Sequence, residues 1–412
     1  MSKLKKMTSW LVIMVFMLTV MASVTPAYAF SVADLLGQAN GSSEASTASG
    51  ASTGKGMVDI LLGLLMGRFL GNTSNTPAGE TGQGSPASGT TKAADKELVG
   101  FYAEWWGEDT SSYNSMMKNA DVINTIAPFW ATLQADGTVT DRGGNDHMSV
   151  VNSAGQKDIT VLLLVNNAKQ EGDAVPIHTV LSNPELRSKA IQNFEAYIKK
   201  YNLAGINVDF EMVPAADRDN LTAFMRELYT RLKPQGYIVS IDVFPKQDEN
   251  NDVAAAYDYA ALSKYADKIM IMTYDHHGAW SGPGPIADIG WVEKSLNYAL
   301  QFIPKDKLFL GLAAYGYDWS TKGTQSLEYK AIMELAQQYG RQVQWDDTAK
   351  SPYFSYTAAD GTAHTIWFEN SESLKHKLAL LTKYDIAGAA MWKLGEEDPA
   401  VWPVLRDKFR NE

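Results

Sequence analysis

Eight short apolar runs recur along residues 98–412, separated by stretches with helical periodicity, and few architectures accommodate that rhythm. The runs are Leu98–Trp105, Val122–Thr132, Asp158–Val165, Gly205–Glu211, Tyr237–Phe244, Lys268–Tyr274, Leu308–Tyr315 and Ile386–Leu394. Val161-Leu162-Leu163-Leu164-Val165 and Ile269-Met270-Ile271-Met272 are almost unbroken. Alternating hydrophobicity marks a strand with one wet face, whereas a continuous apolar run marks a strand covered on both, as in a parallel sheet. Between the runs, Asn183-Pro184-Glu185 sets a capping residue before a proline at the first helical position, and Leu186, Ile191, Phe194 and Ile198 then share one face. Pro214 opens a second helix with Leu221, Phe224, Met225, Leu228 and Leu232 apolar, and Trp291–Phe302 and Ser373–Tyr384 behave likewise. The pattern predicts an α/β chain closed into a (β/α)8 TIM barrel, with a doubly wound open sheet as the alternative.

One connection is too long for a plain repeat. Residues 320–370, between the seventh strand and the helix that follows, hold a helical stretch (Leu327–Tyr339) and three strand-like pieces near Gln342–Trp345, Tyr353–Tyr356 and Thr365–Phe368. Asp360-Gly361 supplies a turn between the last two. A small α+β insertion standing on the barrel rim is the expected result.

The first 97 residues are of another kind. Lys3, Lys5 and Lys6, the apolar run Leu11–Val20 and then Ala27-Tyr28-Ala29 form a three-part export signal over residues 1–29. Residues 30–97 are rich in Gly, Ser, Thr and Ala and read as a flexible tail. An apolar segment at 57–71 interrupts the tail; it is read as a self-association or surface-docking helix, or as a short amphipathic helix covering the barrel. Of 44 aromatic residues, 39 lie after residue 97, and those 315 residues carry a net charge of −12. An acidic domain argues against nucleic acid as a partner. The chain has no Cys, which excludes disulfides, thiolate nucleophiles and Cys-based zinc sites.

Barrel enzymes place their catalytic groups at the C-terminal ends of strands. The fourth run reads Gly205-Ile206-Asn207-Val208-Asp209-Phe210-Glu211. By alternation Ile206, Val208 and Phe210 face the helices, and Asn207, Asp209 and Glu211 face the barrel axis. Polar groups spaced ~6.6 Å apart inside a buried strand are costly unless they bond one another or do chemistry. Glu211, at the rim, is placed to act as a general acid, with Asp209 behind it setting its pKa and position.

This strand resembles the Asp-Gly-x-Asp-x-Asp-x-Glu signature of glycoside hydrolase family 18, the chitinase-like barrels. Met272-Thr273-Tyr274-Asp275 matches the family's Met-x-Tyr-Asp at the sixth strand, and Met391-Trp392 matches its Trp at the eighth. Pro283-Gly284-Pro285-Ile286-Ala287, Gly316-Tyr317-Asp318-Trp319 and Leu394-Gly395-Glu396-Glu397-Asp398-Pro399 are similar to the spore-germination, peptidoglycan-lytic branch. Ala204 and Asn207 replace the first two Asp of the general signature.

The resemblance implies substrate-assisted, retaining hydrolysis of β-linked N-acetylglucosamine polymer with no metal or organic cofactor. In it Glu211 is the acid/base, Asp209 holds the acetamido N–H, Tyr274 orients the acetamido oxygen, Trp392 stacks on the sugar, and Asp275 and Met272 line the same subsite. It further implies peptidoglycan or spore cortex as the substrate; the export signal adds the expectation of a secreted chain, read as a monomer, and the tail that of association with the wall or cell surface. A chitinase, an endo-N-acetylglucosaminidase on another polymer, and a lectin-like sugar-binding barrel are the alternatives.

Other residues are weighed from position alone. Tyr102 is expected inside the barrel near the site. Trp105, Trp106, Phe129 and Trp130, at the ends of the first two runs, are sugar platforms or core. Asn207 adds an uncharged neighbour to Asp209. Asp242 points inward with Ser240 and is either a substrate contact or a packed polar group. Asn166 and Asn167 are weaker candidates of the same kind, and Tyr315 and Tyr317 are expected in a cleft wall.

Overall fold

This computed structural model describes residues 96–105, 108–167, 177–249 and 253–410. The expected export signal, the tail up to residue 95, the 57–71 segment and Trp106 lie outside the described residues, and Glu97, counted with the tail, opens the first barrel strand. Eight parallel strands close on themselves. They are β1 (Glu97–Tyr102), β2 (Thr125–Leu133), β4 (Thr160–Asn166), β5 (Gly205–Asp209), β6 (Ile238–Val243), β7 (Lys268–Ile271), β8 (Leu308–Ala313) and β14 (Gly388–Trp392). Each pairs with the next, and β14 pairs with β1, so the sheet of the barrel has no free edge. A short strand, β3 (Val139–Asp141), folds back antiparallel on the end of β2.

The helices form where the capping and periodicity place them. Asn183 caps the helix Pro184–Tyr201 by accepting the N–H groups of Glu185 and Leu186, a bond worth about 1 kcal/mol. Ile191, Phe194 and Ile198 on that helix are buried, as are Leu221, Phe224, Met225, Leu228 and Leu232 on the helix Arg218–Leu232. These side chains form one continuous apolar layer with the outward residues of the strands, among them Ile206, Val208 and Phe210.

A second, smaller apolar cluster fills the barrel itself: Val99, Phe101, Ala127, Leu164, Met270, Phe309 and Ala390. All seven come from strands other than β5 and β6. The inward positions of those two strands are Asn207, Asp209, Ser240 and Asp242, all buried. The interior is thus an apolar plug with a polar wedge on one side.

The insertion is larger than the sequence reading placed it. It is a five-stranded antiparallel sheet of β9 (Tyr315–Ser320), β10 (Gly323–Glu328), β11 (Gln344–Asp346), β12 (Ser351–Thr357) and β13 (Ala363–Phe368), with the helix Tyr329–Gln338 packed on it. It starts at Tyr315, with only Ala314 between it and the end of the barrel strand, and not near residue 320. Tyr315 accordingly belongs to the inserted sheet and not to a barrel strand. The Asp360-Gly361 turn joins β12 to β13, with Gly361 at φ +85°.

Candidate active site

The ladder of β5 stops at Asp209, so Glu211 stands two residues past the sheet, where its backbone N–H and C=O have no strand partner. The Asn167 side chain supplies both bonds. Its Oδ1 accepts the Glu211 N–H at 2.8 Å, and its Nδ2 donates to the Glu211 carbonyl at 2.9 Å. One residue beyond β4, this amide continues the ladder in which Asn166 already pairs with Asp209. On the preceding residue, the buried Tyr257 hydroxyl donates to the Phe210 carbonyl at 2.6 Å. These three bonds hold the segment that carries the Glu211 side chain. Removing the amide with Asn167→Ala is expected to lower kcat about ten-fold with little change in KM, because orientation is lost and binding surface is not. A fall confined to KM would refute this.

Below Glu211, Asn207 donates to Asp242 Oδ2 at 2.5 Å and accepts from the Ser240 hydroxyl at 2.7 Å. Its direct acidic neighbour is therefore Asp242, across the β5–β6 ladder. Among the described residues, Asp209 Oδ1 and Asp242 Oδ1 are buried without a hydrogen-bond partner. On the adjoining strand ends, Asp275 has left-handed φ (58°) and accepts hydrogen bonds from Tyr315 and Tyr317 of the inserted sheet. Tyr274 lies edge-on to Tyr315, ring centroids 6.4 Å apart. Gly311 makes room for it: a Cβ there would stand 3.0 Å from Tyr274 Cε1 and 2.3 Å from the Ile271 carbonyl oxygen. Met272 is buried beside them.

Trp392 closes the floor. Its ring is 5.5 Å from Phe101, 6.0 Å from Phe129 and 6.4 Å from Trp105, so four aromatic rings form one apolar corner at the mouth. Trp105 is fixed by its indole N–H to Glu396 and lies under the Lys393 ammonium, which is paired with Glu396 at 3.2 Å.

Four carboxyls share this space, and burial disfavours the charge on each. It pushes Asp209 up to about 7. Glu211 lies well above the usual carboxylate range through burial, then through the charges of Asp209 and Asp275. Asp242 is raised by burial and by Asp209, with the Asn207 bond opposing. Asp275 reaches only about 6, because the Tyr315 and Tyr317 hydroxyls offset its burial. Burial and the neighbouring carboxyls favour the protonated form of Glu211, the form that a general acid requires. Among the described residues no group of three or more His, Cys, Asp or Glu side chains is arranged to hold a metal ion.

Residues 97–397 match the Glycosyl hydrolases family 18. The chain belongs to that family. It is therefore a glycoside hydrolase, with the inserted sheet standing on a family 18 barrel. An uncharacterized glycosylase of Bacillus subtilis (strain 168) is 30% identical over 317 residues, covering 76% of this chain and 92% of that protein. The crystal structure of the Bacillus cereus spore cortex-lytic enzyme SleL superposes with a TM-score of 0.70 at 28% identity, covering 76% of this chain and 74% of that one. A chitinase from Chromobacterium violaceum gives a TM-score of 0.71 at 30% identity, covering 78% of this chain and all of that one. These relatives place the chain with the spore-germination branch of family 18.

Within the family 18 site, Asn207, Asp209, Glu211, Asp242, Met272, Tyr274, Asp275, Trp392 and Trp105 come together, and Tyr315 joins them from the insertion. Tyr102 does not. It is fully buried on the outward face of β1, edge-on to Trp130, with its hydroxyl donating to Glu104 at 2.7 Å. Phe101 takes the inward position. Trp130 is likewise core, stacked on His147 at 3.9 Å, whereas its neighbour Phe129 faces the mouth. Asn167 acts on the Glu211 backbone and Tyr257 on the carbonyl of the preceding Phe210; in the sequence the first is only a weaker candidate contact, and nothing marks the second.

Proposed function

We propose that this chain is an exported, retaining glycosidase that cuts β-linked N-acetylglucosamine polymer, with peptidoglycan or spore cortex as its substrate. The observation that carries the reading is the pairing, on one barrel rim, of a neutral-favoured Glu211 with a buried Asp209 whose Oδ1 has no hydrogen-bond partner among the described residues. In the proposed reaction the substrate's 2-acetamido oxygen attacks the anomeric carbon. The bond to the leaving oxygen breaks as Glu211 gives that oxygen its proton. Asp209 accepts the acetamido N–H and faces the positive charge that develops on the oxazolinium ring. Tyr274 directs the acetamido oxygen, and Trp392 supports the sugar. Water then adds at the same face as the original leaving group while Glu211 takes up its proton, which regenerates the acid and retains configuration.

Similarity to a spore cortex-lytic enzyme over three quarters of the chain supports peptidoglycan as the polymer. Equal similarity to a whole chitinase favours chitin as the second reading. Export rests on the basic, apolar and small-residue pattern of residues 1–29. The test is turnover of purified sacculi and of soluble chito-oligomers by the same preparation, with mass spectrometry of the fragments. Muropeptides with a reducing N-acetylglucosamine end are the expected product. Cleavage of chito-oligomers alone would transfer the enzyme to the chitinase reading, and binding of sacculi without cleavage would make it a sugar-binding barrel.

A further inference from the structure

Asp209 has an acidic neighbour on the next strand. β5 and β6 run parallel in a register that sets Asn207 beside Ser240 and Val208 beside Ile241. One step further along, Asp209 stands beside Asp242, and facing positions on adjacent strands are ~4.8 Å apart. Val208 and Ile241 belong to the outer apolar layer, so by alternation both carboxyls point into the barrel. Both residues are buried, and the Oδ1 atom of each has no hydrogen-bond partner among the described residues.

The other oxygen of Asp242 is committed. The Ser240 hydroxyl donates to Asn207 Oδ1 at 2.7 Å, which turns the Asn207 amide nitrogen to Asp242 Oδ2 at 2.5 Å. Only Oδ1 is left to face Asp209. Two ionised carboxylates can only accept hydrogen bonds, so neither satisfies the other. Like charges one strand apart and away from water also oppose each other's ionisation. One proton removes both difficulties, because it gives the pair a donor and leaves it a single charge. The titratable groups around Asp242 are Asp209 on β5, Glu211 just beyond it, Tyr274 after β7, and Tyr257 ahead of the helix Tyr259–Leu262. None of these is a cation that would hold two charges in place. Burial raises both aspartates; the charge of Asp209 raises Asp242 further, whereas burial alone raises Asp209. The charge therefore settles on Asp209 and the proton on Asp242.

Resting on the substrate-assisted reaction above, we propose that Asp242 is a positioning residue for Asp209: its protonated carboxyl donates to Asp209 Oδ1, which keeps Asp209 ionised and aimed at the acetamido N–H. This proton is not spent. It stays on Asp242 through the cycle, while the proton that passes to the leaving oxygen and is later recovered from water is that of Glu211. Asn207 and Ser240 serve the same end one layer down, by fixing the plane of the Asp242 carboxyl.

The experiment uses the full chain and its Asp242→Ala and Asp242→Asn variants, on whichever of peptidoglycan strands and chito-oligomers the wild type cuts. The first readout is the acidic limb of kcat/KM, where Asp209 ionises. Loss of a donor makes Asp209 harder to ionise, so Asp242→Ala should move that limb up by about one pH unit and lower kcat about ten-fold with KM little changed. An asparagine imitates a neutral acid: it keeps a donor for Asp209 and an acceptor for Asn207. Asp242→Asn should therefore keep kcat within about three-fold of wild type and move the limb less. A limb that moves to lower pH in Asp242→Ala would mean that a negative charge had been removed. A limb that stays in place while kcat falls would mean that Asp242 only packs. Either result overturns the proposal. The second readout needs no turnover and no alanine variant: the infrared difference between wild type and Asp242→Asn at pH 8 should show the loss of a protonated-carboxyl band. Loss of an ionised-carboxylate band in its place also overturns the proposal. Failure of the substrate-assisted reading looks different: the wild type would then cut substrates without an N-acetyl group as well as those that have one, and the infrared band would still decide where the proton sits.

Discussion

Glu211→Gln is expected to lower kcat on polymer by a factor of about 10³ or more, with sugar binding retained. The amide has the shape of the carboxyl but cannot release a proton to the leaving oxygen, nor take one from water. Burial already favours an uncharged group at this position, so the variant should melt no lower than the wild type. Its backbone anchors, Asn167 and Tyr257, do not involve the side chain and remain. Binding is read by quenching of Trp105 and Trp392 fluorescence. The loss should be smaller for an aryl glycoside whose leaving group departs without a proton, because only the water-attack step then still needs Glu211. A variant with more than a tenth of wild-type activity on polymer would show that another group supplies the proton.

Asp209→Asn is expected to lower kcat about 10²-fold and, separately, to change how stability depends on pH. The folded chain holds Asp209 at about 7, against an ordinary value of 3.8. A raised acid contributes its stability fully below the unfolded value and loses it as pH climbs through the folded one. Wild-type stability should therefore decline between pH 4 and pH 7 by an amount that asparagine, which does not titrate, removes. The melting temperature of Asp209→Asn relative to wild type should rise by on the order of 5 °C between pH 5 and pH 8. The variant also removes one of the charges that raise Glu211, so the basic limb of kcat/KM should move to lower pH. A melting difference independent of pH would mean that Asp209 is ionised throughout.

Much of this was readable in the sequence because parallel, doubly covered strands leave continuous apolar runs, and a polar residue inside one is conspicuous. Asn207, Asp209 and Glu211 interrupt such a run at alternate positions, so both their direction and their layer followed. The same property hid the facing of β1. In Leu98-Val99-Gly100-Phe101-Tyr102 both faces are apolar, so nothing local tells which of Phe101 and Tyr102 points inward; the Glu104 acceptor for the tyrosine hydroxyl decides it. The start of the insertion was hidden because β9 follows β8 after Ala314 alone, so the two strands read as one run. Strand β10 is largely exposed and carries no apolar pattern to mark it. The role of Asn167 was beyond reach for another reason: it acts through bonds to the backbone of Glu211, a residue distant in sequence, and no periodicity announces such a contact.

The hydroxyls of Tyr315 and Tyr317 tie the inserted sheet to Asp275 at a barrel strand end. The sheet is for that reason no detachable module. A chimera that trims the loop, or grafts one from a cousin lacking both phenols, would strip the half-buried Asp275 carboxyl of its donors and shift the acid balance of its neighbours. Evolution or an engineer can remodel the outer strands and helix of that appendage freely. Its innermost strand is inherited with the catalytic rim, and the two must change together.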